Sequence, residues 1–178
     1  EIRLDGGCVS ACGQRNGSLV QSQAFCSYTD QVMVLNYHCS SSSGLTGKIV
    51  FATQRETDVV MVEGNVLRLE CQIANGIKCI AQATVRHHGG TLKEGDRHLS
   101  LEGADSCTIL LAIETNYEMD FSTGFRGESA ESRISRRMSQ VETLSFDELK
   151  NRHSEDYSAM YRRQRLSLGA SPRVLQDM

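Results

Sequence analysis

Residues 89–114 read GGTLKEGDRHLSLEGADSCTILLAIE, and this stretch decides the fold. Leu99 and Leu101 alternate with His98, Ser100 and Glu102, the period of a strand with one solvated face. Gly103-Ala104-Asp105 interrupts that alternation with turn-forming residues. Residues 108–113 (TILLAI) follow as a short apolar run, the length expected of a strand covered on both faces. An edge strand, a turn and a central strand in so short a span predict a packed sheet. Most of the chain before this stretch reads as strand, and most of the chain after it as helix.

Working back from it, residues 18–27 (SLVQSQAFCS) and 31–39 (QVMVLNYHC) read as strands joined by a turn at Tyr28-Thr29-Asp30. Residues 40–44 are a short polar loop, and residues 48–54 (KIVFATQ) a third strand. Residues 59–62 and 66–73 flank Glu63-Gly64-Asn65 as a hairpin, and residues 78–86 (KCIAQATVR) come next. Strands at this spacing, with no helical pattern between them, predict a sandwich rather than βαβ units. The single proline, Pro172, lies beyond them all.

Near Gly124 the period changes. Within residues 128–144, Ala130, Ile134, Met138 and Val141 fall at helical spacing, with Arg133, Arg136 and Arg137 mostly on the other side. Ser145 with Glu148 three residues on forms a capping box that starts a second helix. Phe146, Leu149, His153, Tyr157, Met160 and Tyr161 recur on its apolar face. Asp147 and Glu148 near its start and Arg162, Arg163 and Arg165 at its end match the helix dipole. The fold class read from the residues is mainly β: an antiparallel β-sandwich over residues 1–123, followed by two C-terminal α-helices within residues 124–178.

At 178 residues the chain is about one domain and large enough for a core. A net charge of −3 gives no electrostatic case for nucleic acid or an anionic membrane surface. No apolar run is long enough for a transmembrane helix. The opening EIRLDGG lacks a signal peptide's basic end and apolar core, and the absence of an initiator Met suggests a processed chain or an excised piece. The seven cysteines (Cys8, Cys12, Cys26, Cys39, Cys71, Cys79, Cys107) fit no zinc spacing, and several fall at apolar strand positions as small hydrophobes do.

Catalytic signatures are missing. No phosphate loop, dinucleotide fingerprint, H-E-x-x-H or G-x-S-x-G occurs. His87 and His88 would point to opposite faces of a strand, which makes a poor chelate. His153 on an apolar helix face reads as a hydrogen-bonded core residue, with Asp156 as a candidate acceptor. Asp147 and Glu148 read as helix-start carboxylates rather than a glycosidase pair. Arg136-Arg137-Met138-Ser139 matches a basic kinase-site pattern but also a solvated helix face. The residues predict no catalytic side chain, no cofactor and no metal.

Three segments, taken together, resemble glycoside hydrolase family 95, the α-L-fucosidases. Residues 24–34 (AFCSYTDQVMV) resemble the family's F-x-S-x-P-D-Q-V segment, with Thr29 in the proline position. Residues 89–92 with 99–112 resemble its G-G … L-x-V-x-G-A-D-x-x-T-L-L-L-A segment. Residues 153–161, continuing to 166–169 (LSLG), resemble H-x-x-D-Y-x-x-L-F-x-R-V-x-L-x-L-G, with Gln164 in the arginine position. The order matches the later part of that family's amino-terminal β-sandwich and the helices linking it to an (α/α)6 barrel. The family's opening G-N-G and L-N-E-D-T-L-W segment does not occur in this sequence.

The resemblance implies a supersandwich-like body lacking its opening strands. It also implies a non-catalytic scaffold and linker role in an enzyme that hydrolyses terminal α-L-fucose with inversion. The catalytic carboxylates and asparagines of that family lie in the barrel, so none is inherited here. The implied partner is the barrel, docked on the apolar face of the last helix through Phe146, Leu149, His153, Tyr157 and Met160. Fucosylated glycan would be met only through the parent enzyme, and a secretory location follows only by analogy. The residues leave two other readings open: a carbohydrate-binding sandwich, disfavoured by the absence of Trp, and a protein-interaction piece of a split gene.

Overall fold

A computed structural model describes residues 2–3, 6–15, 18–73 and 75–164. Among them, eleven strands precede two helices: β1 (Ile2–Arg3), β2 (Cys8–Arg15), β3 (Ser18–Ser27), β4 (Val32–Cys39), β5 (Leu45–Val50), β6 (Val59–Glu63), β7 (Val66–Gln72), β8 (Lys78–His88), β9 (Thr91–Glu94), β10 (His98–Ala104), β11 (Ser106–Thr115), α1 (Ala130–Val141) and α2 (Phe146–Tyr161). They form two antiparallel sheets. The larger has the order β1-β2-β3-β4-β11-β8-β7-β6, and the smaller β5-β10-β9. The mainly β class with two terminal helices is as the sequence predicts.

Strand alternation gives the large sheet two apolar faces, each with its own core. On one face Phe25, Val34, Ile80, Leu110 and Ala112 meet Ala130, Ile134, Met138 and Val141 of α1 and Leu149 of α2. On the other, Leu67, Ala83, Val85 and Cys107 meet Leu99, Leu101 and Ala104 of the small sheet. The molecule is therefore three layers: helices, large sheet, small sheet. β11 lies near the middle, hydrogen-bonded to β4 and β8, which is why its run TILLAI carries apolar side chains on both faces.

Three local expectations change. β10 is not an edge strand; its main chain pairs with β5 on one side and β9 on the other. Ser100 nonetheless stays half-exposed and Glu102 exposed, because the outer face of the small sheet is open. Gly103-Ala104-Asp105 does not join neighbours in one sheet; it carries the chain from the small sheet to the large one. The register slips there between Leu101 and Ala104, and Gly103 has φ +67°. The third strand runs over Leu45–Val50 instead of residues 48–54. Pairing of Leu45 with Ala104 starts it early, and a turn in which Thr53 Oγ1 donates to Asp58 (2.5 Å) follows it. β2 and β9 were not legible in the sequence.

The helices begin where their caps dictate. Ser129 accepts a hydrogen bond from Ser132 N at the start of α1. The predicted capping box is present: Ser145 N donates to Glu148 Oε2 (2.8 Å), and Ser145 Oγ accepts from Glu148 N (3.2 Å). Arg86 of β8 closes the other end of α1. Its guanidinium donates to the carbonyls of Val141 (2.8 Å) and Leu144 (2.5 Å), placing a cation at the helix C-terminus. Burial lowers the Arg86 pKa below the ordinary arginine value, and nearby Glu142 opposes that shift. Arg86→Met keeps the aliphatic stem and removes both bonds. It should cost about 2–3 kcal/mol, since bonds to charged groups are the stronger class. A thermal melt should show Tm lower by roughly 5–10 °C; an unchanged Tm would refute the latch.

Candidate functional site

The apolar face of α2 is already in use. Leu149 is fully buried and His153 is 5% exposed, while Phe146 packs partly buried against the same core. The His153 ring stacks on Phe25 of β3 at 4.8 Å. Its Nε2 lies 3.2 Å from the carbonyl oxygen of Gly7, so that nitrogen donates to a backbone acceptor. The acceptor is thus a carbonyl from the far end of the chain and not Asp156. Tyr157 is half-buried beside His153 and stacks on Tyr161 at 5.8 Å. Met160 and Tyr161 are exposed. Of the five docking residues predicted, three face this chain's own sheet, and the free end of the helix begins near Tyr157. The part of the third resemblance segment at residues 166–169 lies outside the described residues.

A contact of α2 just before the third resemblance segment also reaches the first. Arg152 of α2 pairs with the buried carboxylate of Asp30 at 2.7 Å. Ser27 Oγ donates to that carboxylate at 2.8 Å and accepts from Asp30 N at 3.2 Å. The turn 28–31 is therefore tied to α2, which gives Asp30 of AFCSYTDQVMV a structural role.

The other sequence candidates lie elsewhere on the fold, each in its own local contacts. His87 and His88 are exposed at the end of β8. His88 Nδ1 lies 3.2 Å from Asp105 Oδ2, both side chains largely in solvent. Asp105 N donates to His88 O, and Cys39 N donates to Asp105 O, so its main chain stitches three strands together. Arg136 makes a two-pronged ion pair with Glu128 (2.8 Å each), and Arg137 pairs with Glu114 at 3.0 Å. Among the described residues, no three His, Cys, Asp or Glu side chains cluster closely enough to hold a metal. All seven cysteines are free thiols. Burial, then the neighbouring Cys71, pushes the Cys79 thiol up to about 11; burial does the same for Cys107. Both are thereby poor nucleophiles at neutral pH.

The surface that stands out was not singled out in the sequence: the connection from β11 to α1. Met119 and Phe121 are each 85% exposed, and Tyr117 and Phe125 are also exposed. The rings form a cluster, Tyr117 stacked on Phe125 at 6.3 Å and Phe121 edge-on to Phe125 at 6.0 Å. Asp120 holds the loop, accepting from Ser122 N (2.8 Å) and Ser122 Oγ (2.7 Å). A bridge between Tyr117 and Arg126 closes it, and Arg126 reaches across to the carbonyl of Asn75. Arg133 of α1 donates to Tyr117 O. Phe125 sits at φ +61°, a conformation costly for a bulky side chain. A loop tied down by these bonds that holds apolar rings in water is a candidate interaction surface. The available signal was Tyr, Met, Phe and Phe spaced through the turn-rich YEMDFSTGF.

The loop has a pH signature. Hydrogen bonds from the Ser122 side chain and backbone lower the Asp120 pKa below the usual carboxylate range. A lowered folded pKa contributes stability above the unfolded pKa and loses it as pH falls through the folded value. The Ser122 amide resonance should hold its folded position at pH 5 and titrate only below a free aspartate's midpoint. A midpoint at the free-aspartate value would contradict the loop geometry.

The geometry can be set beside known proteins. The family model described as "Glycosyl hydrolase family 65, N-terminal domain" matches residues 1–120. A protein named Probable alpha-fucosidase A, from Aspergillus niger, is 27% identical over an alignment covering 94% of this chain and 23% of its own length. A protein named Alpha-L-fucosidase 2, from Arabidopsis thaliana, is 24% identical over 83% of this chain and 20% of its own. The solved structure titled Putative kojibiose phosphorylase from human microbiome shares the fold with a TM-score of 0.51 at 9% identity, over 90% of this chain and 24% of that one. The chain spans about a quarter or less of the length of each of these proteins.

Proposed function

Because the chain belongs to the glycosyl hydrolase family 65 N-terminal domain family, we propose that it is a non-catalytic body against which a glycoside hydrolase sets its catalytic barrel. The parent is an α-L-fucosidase of the family 95 kind. The observation that carries this reading is the pattern of coverage: two proteins named as fucosidases align with 94% and 83% of this chain and with under a quarter of themselves. The parent reaction would be inverting hydrolysis, with a general acid and a base-activated water supplied from outside residues 1–178. This chain's own residues provide the rigid support.

The exposed rings of Tyr117, Phe121 and Phe125, with Met119 and the free end of α2 at Tyr157, Met160 and Tyr161, form the docking surface in this reading. Phe146, Leu149 and His153 act one layer below, holding α2 to the sheet. The test is hydrolysis of an aryl α-L-fucoside by residues 1–178 and by the full polypeptide encoded with them. The short form should be inactive and the long form active; turnover by the short form would overturn the proposal. The exposed rings also support a second reading, direct sugar binding, since glycan-binding surfaces use aromatic faces. Calorimetry of L-fucose against residues 1–178 separates the two, and heat that vanishes in Phe121→Ala would favour the second.

A further inference from the structure

One pair of the free cysteines is opposed across a ladder: Cys71 of β7 faces Cys79 of β8. Among the described residues no other cysteine meets a cysteine in this way. Cys8 faces Arg3, Cys12 faces Gln21, Cys26 faces Met33, Cys39 faces Val20, and Cys107 lies between Tyr37 and His87. Directly opposed residues of an antiparallel pair put their side chains on one face. Here it is the face that carries Leu67, Ala83 and Val85 beneath the small sheet. Both sulfurs are half-buried, which leaves them open to a small molecule, and the two thiols share a hydrogen bond.

The register admits a bond between the two sulfurs and strains it. Ile73 N donates to Ile77 O (2.8 Å) and Val85 N to Asn65 O (2.9 Å), so the odd-numbered partners of this ladder, Cys71 and Cys79 included, are its hydrogen-bonded pairs. Such pairs stand about 5.5 Å apart between Cα atoms. A disulfide spans Cα separations of roughly 4.4–6.8 Å, but it draws the Cβ atoms to about 3.8 Å, closer than a hydrogen-bonded pair holds them. A disulfide here closes without separating the strands and is readily reduced. The same hairpin props the exposed ring loop. Arg126, which closes that loop, donates to Asn75 O at the hairpin tip. Asn116 brackets Lys78, donating from its N to Lys78 O (3.2 Å) and accepting at Oδ1 from Lys78 N (2.9 Å).

We propose that Cys71 and Cys79 are a reversible oxidation site, closing to a disulfide that staples the hairpin beneath the Tyr117–Phe125 loop. The oxidant is a low-molecular-weight disulfide such as glutathione disulfide. One cysteine thiolate attacks it, forming a mixed disulfide and releasing one glutathione thiol. The facing sulfur then attacks the protein sulfur of that mixed disulfide and expels the second glutathione. The two cysteines lose two electrons and two protons, and one glutathione disulfide becomes two thiols. Cys79 holds its proton at neutral pH, so the reaction is slow there. What selects this pair is the position of the second sulfur, already in place to resolve the mixed disulfide.

The test treats residues 1–178 with glutathione disulfide at about pH 8, where more of each thiol is ionised, then alkylates and digests with trypsin without reduction. Fragments 69–78 and 79–86 should appear joined, two hydrogens lighter than their sum. Excess reduced glutathione should separate them again. In the oxidised form the amides of Ile73 and Gly76, which close the hairpin tip, should exchange at least about tenfold more slowly. In Cys71→Ser, Cys79 should stop at the glutathione adduct. Cys71 and Cys79 of the unchanged chain ending as separate adducts or free thiols, or joined mainly to other cysteines, would overturn the proposal. So would a link that survives reduced glutathione, or unchanged exchange at Ile73 and Gly76. The readout involves neither sugar nor barrel, so loss of the fucosidase reading would leave it standing.

Discussion

Leu149→Ala should lower the unfolding free energy of residues 1–178 by about 2–5 kcal/mol, the range for emptying a fully buried leucine site. Leu149 is wholly buried among Phe25, Val34 and Val141, in the core between the helices and the large sheet. The result separates two roles for α2. If the helix belongs to this chain's own core, urea denaturation should show a lower midpoint with an unchanged slope. If its apolar face waits for another body, the truncation would leave the isolated chain's midpoint where it was. Met160→Ala, at an exposed position on the same helix, is the control and should move the midpoint by less than about 0.5 kcal/mol.

Gly90→Ala should be comparably severe, at about 2–5 kcal/mol, by a different mechanism. Gly90 has φ +60°, and a Cβ there would be driven into the backbone of Glu102 and Ala104. The left-handed conformation alone costs an alanine about 1–2 kcal/mol. Relieving the clash must shift β9 or β10, and overpacking adds about 1–3 kcal/mol. Neither obstacle is a flexible side chain that can swing away. Gly64→Ala is the comparison: it has a similar φ of +58°, but its Cβ would enter open space. It should cost only the conformational part. Equal losses for the two would mean that the β9–β10 approach is not close.

The large elements were legible because their periodicities are strong. Phe25, Val32 and Val34 against Ala24, Met33 and Leu35 alternate cleanly, and Ile134, Met138 and Val141 repeat at the helical period. β2 was missed because CVSACGQR alternates little and holds a glycine, so its pairing comes from the neighbouring β3. The partner of His153 was missed because Gly7 lies 146 residues away, and chain order carries no information about which carbonyl will arrive. The exposed loop was passed over because apolar residues between turn residues carry no period; only solvent exposure distinguishes them from core.

Local sequence by itself determined most of the strands, both helices and where the helices begin. Backbone preference, side-chain period and capping chemistry act within a few residues, so they can be read along the chain. Tertiary structure alone decided that β10 is central and β11 crosses to the other sheet, although the two are neighbours in residues 89–114. It also decided that α2 spends its apolar face on Phe25. Those outcomes depend on which faces meet, and burial of one apolar face against another is nondirectional and indifferent to sequence distance.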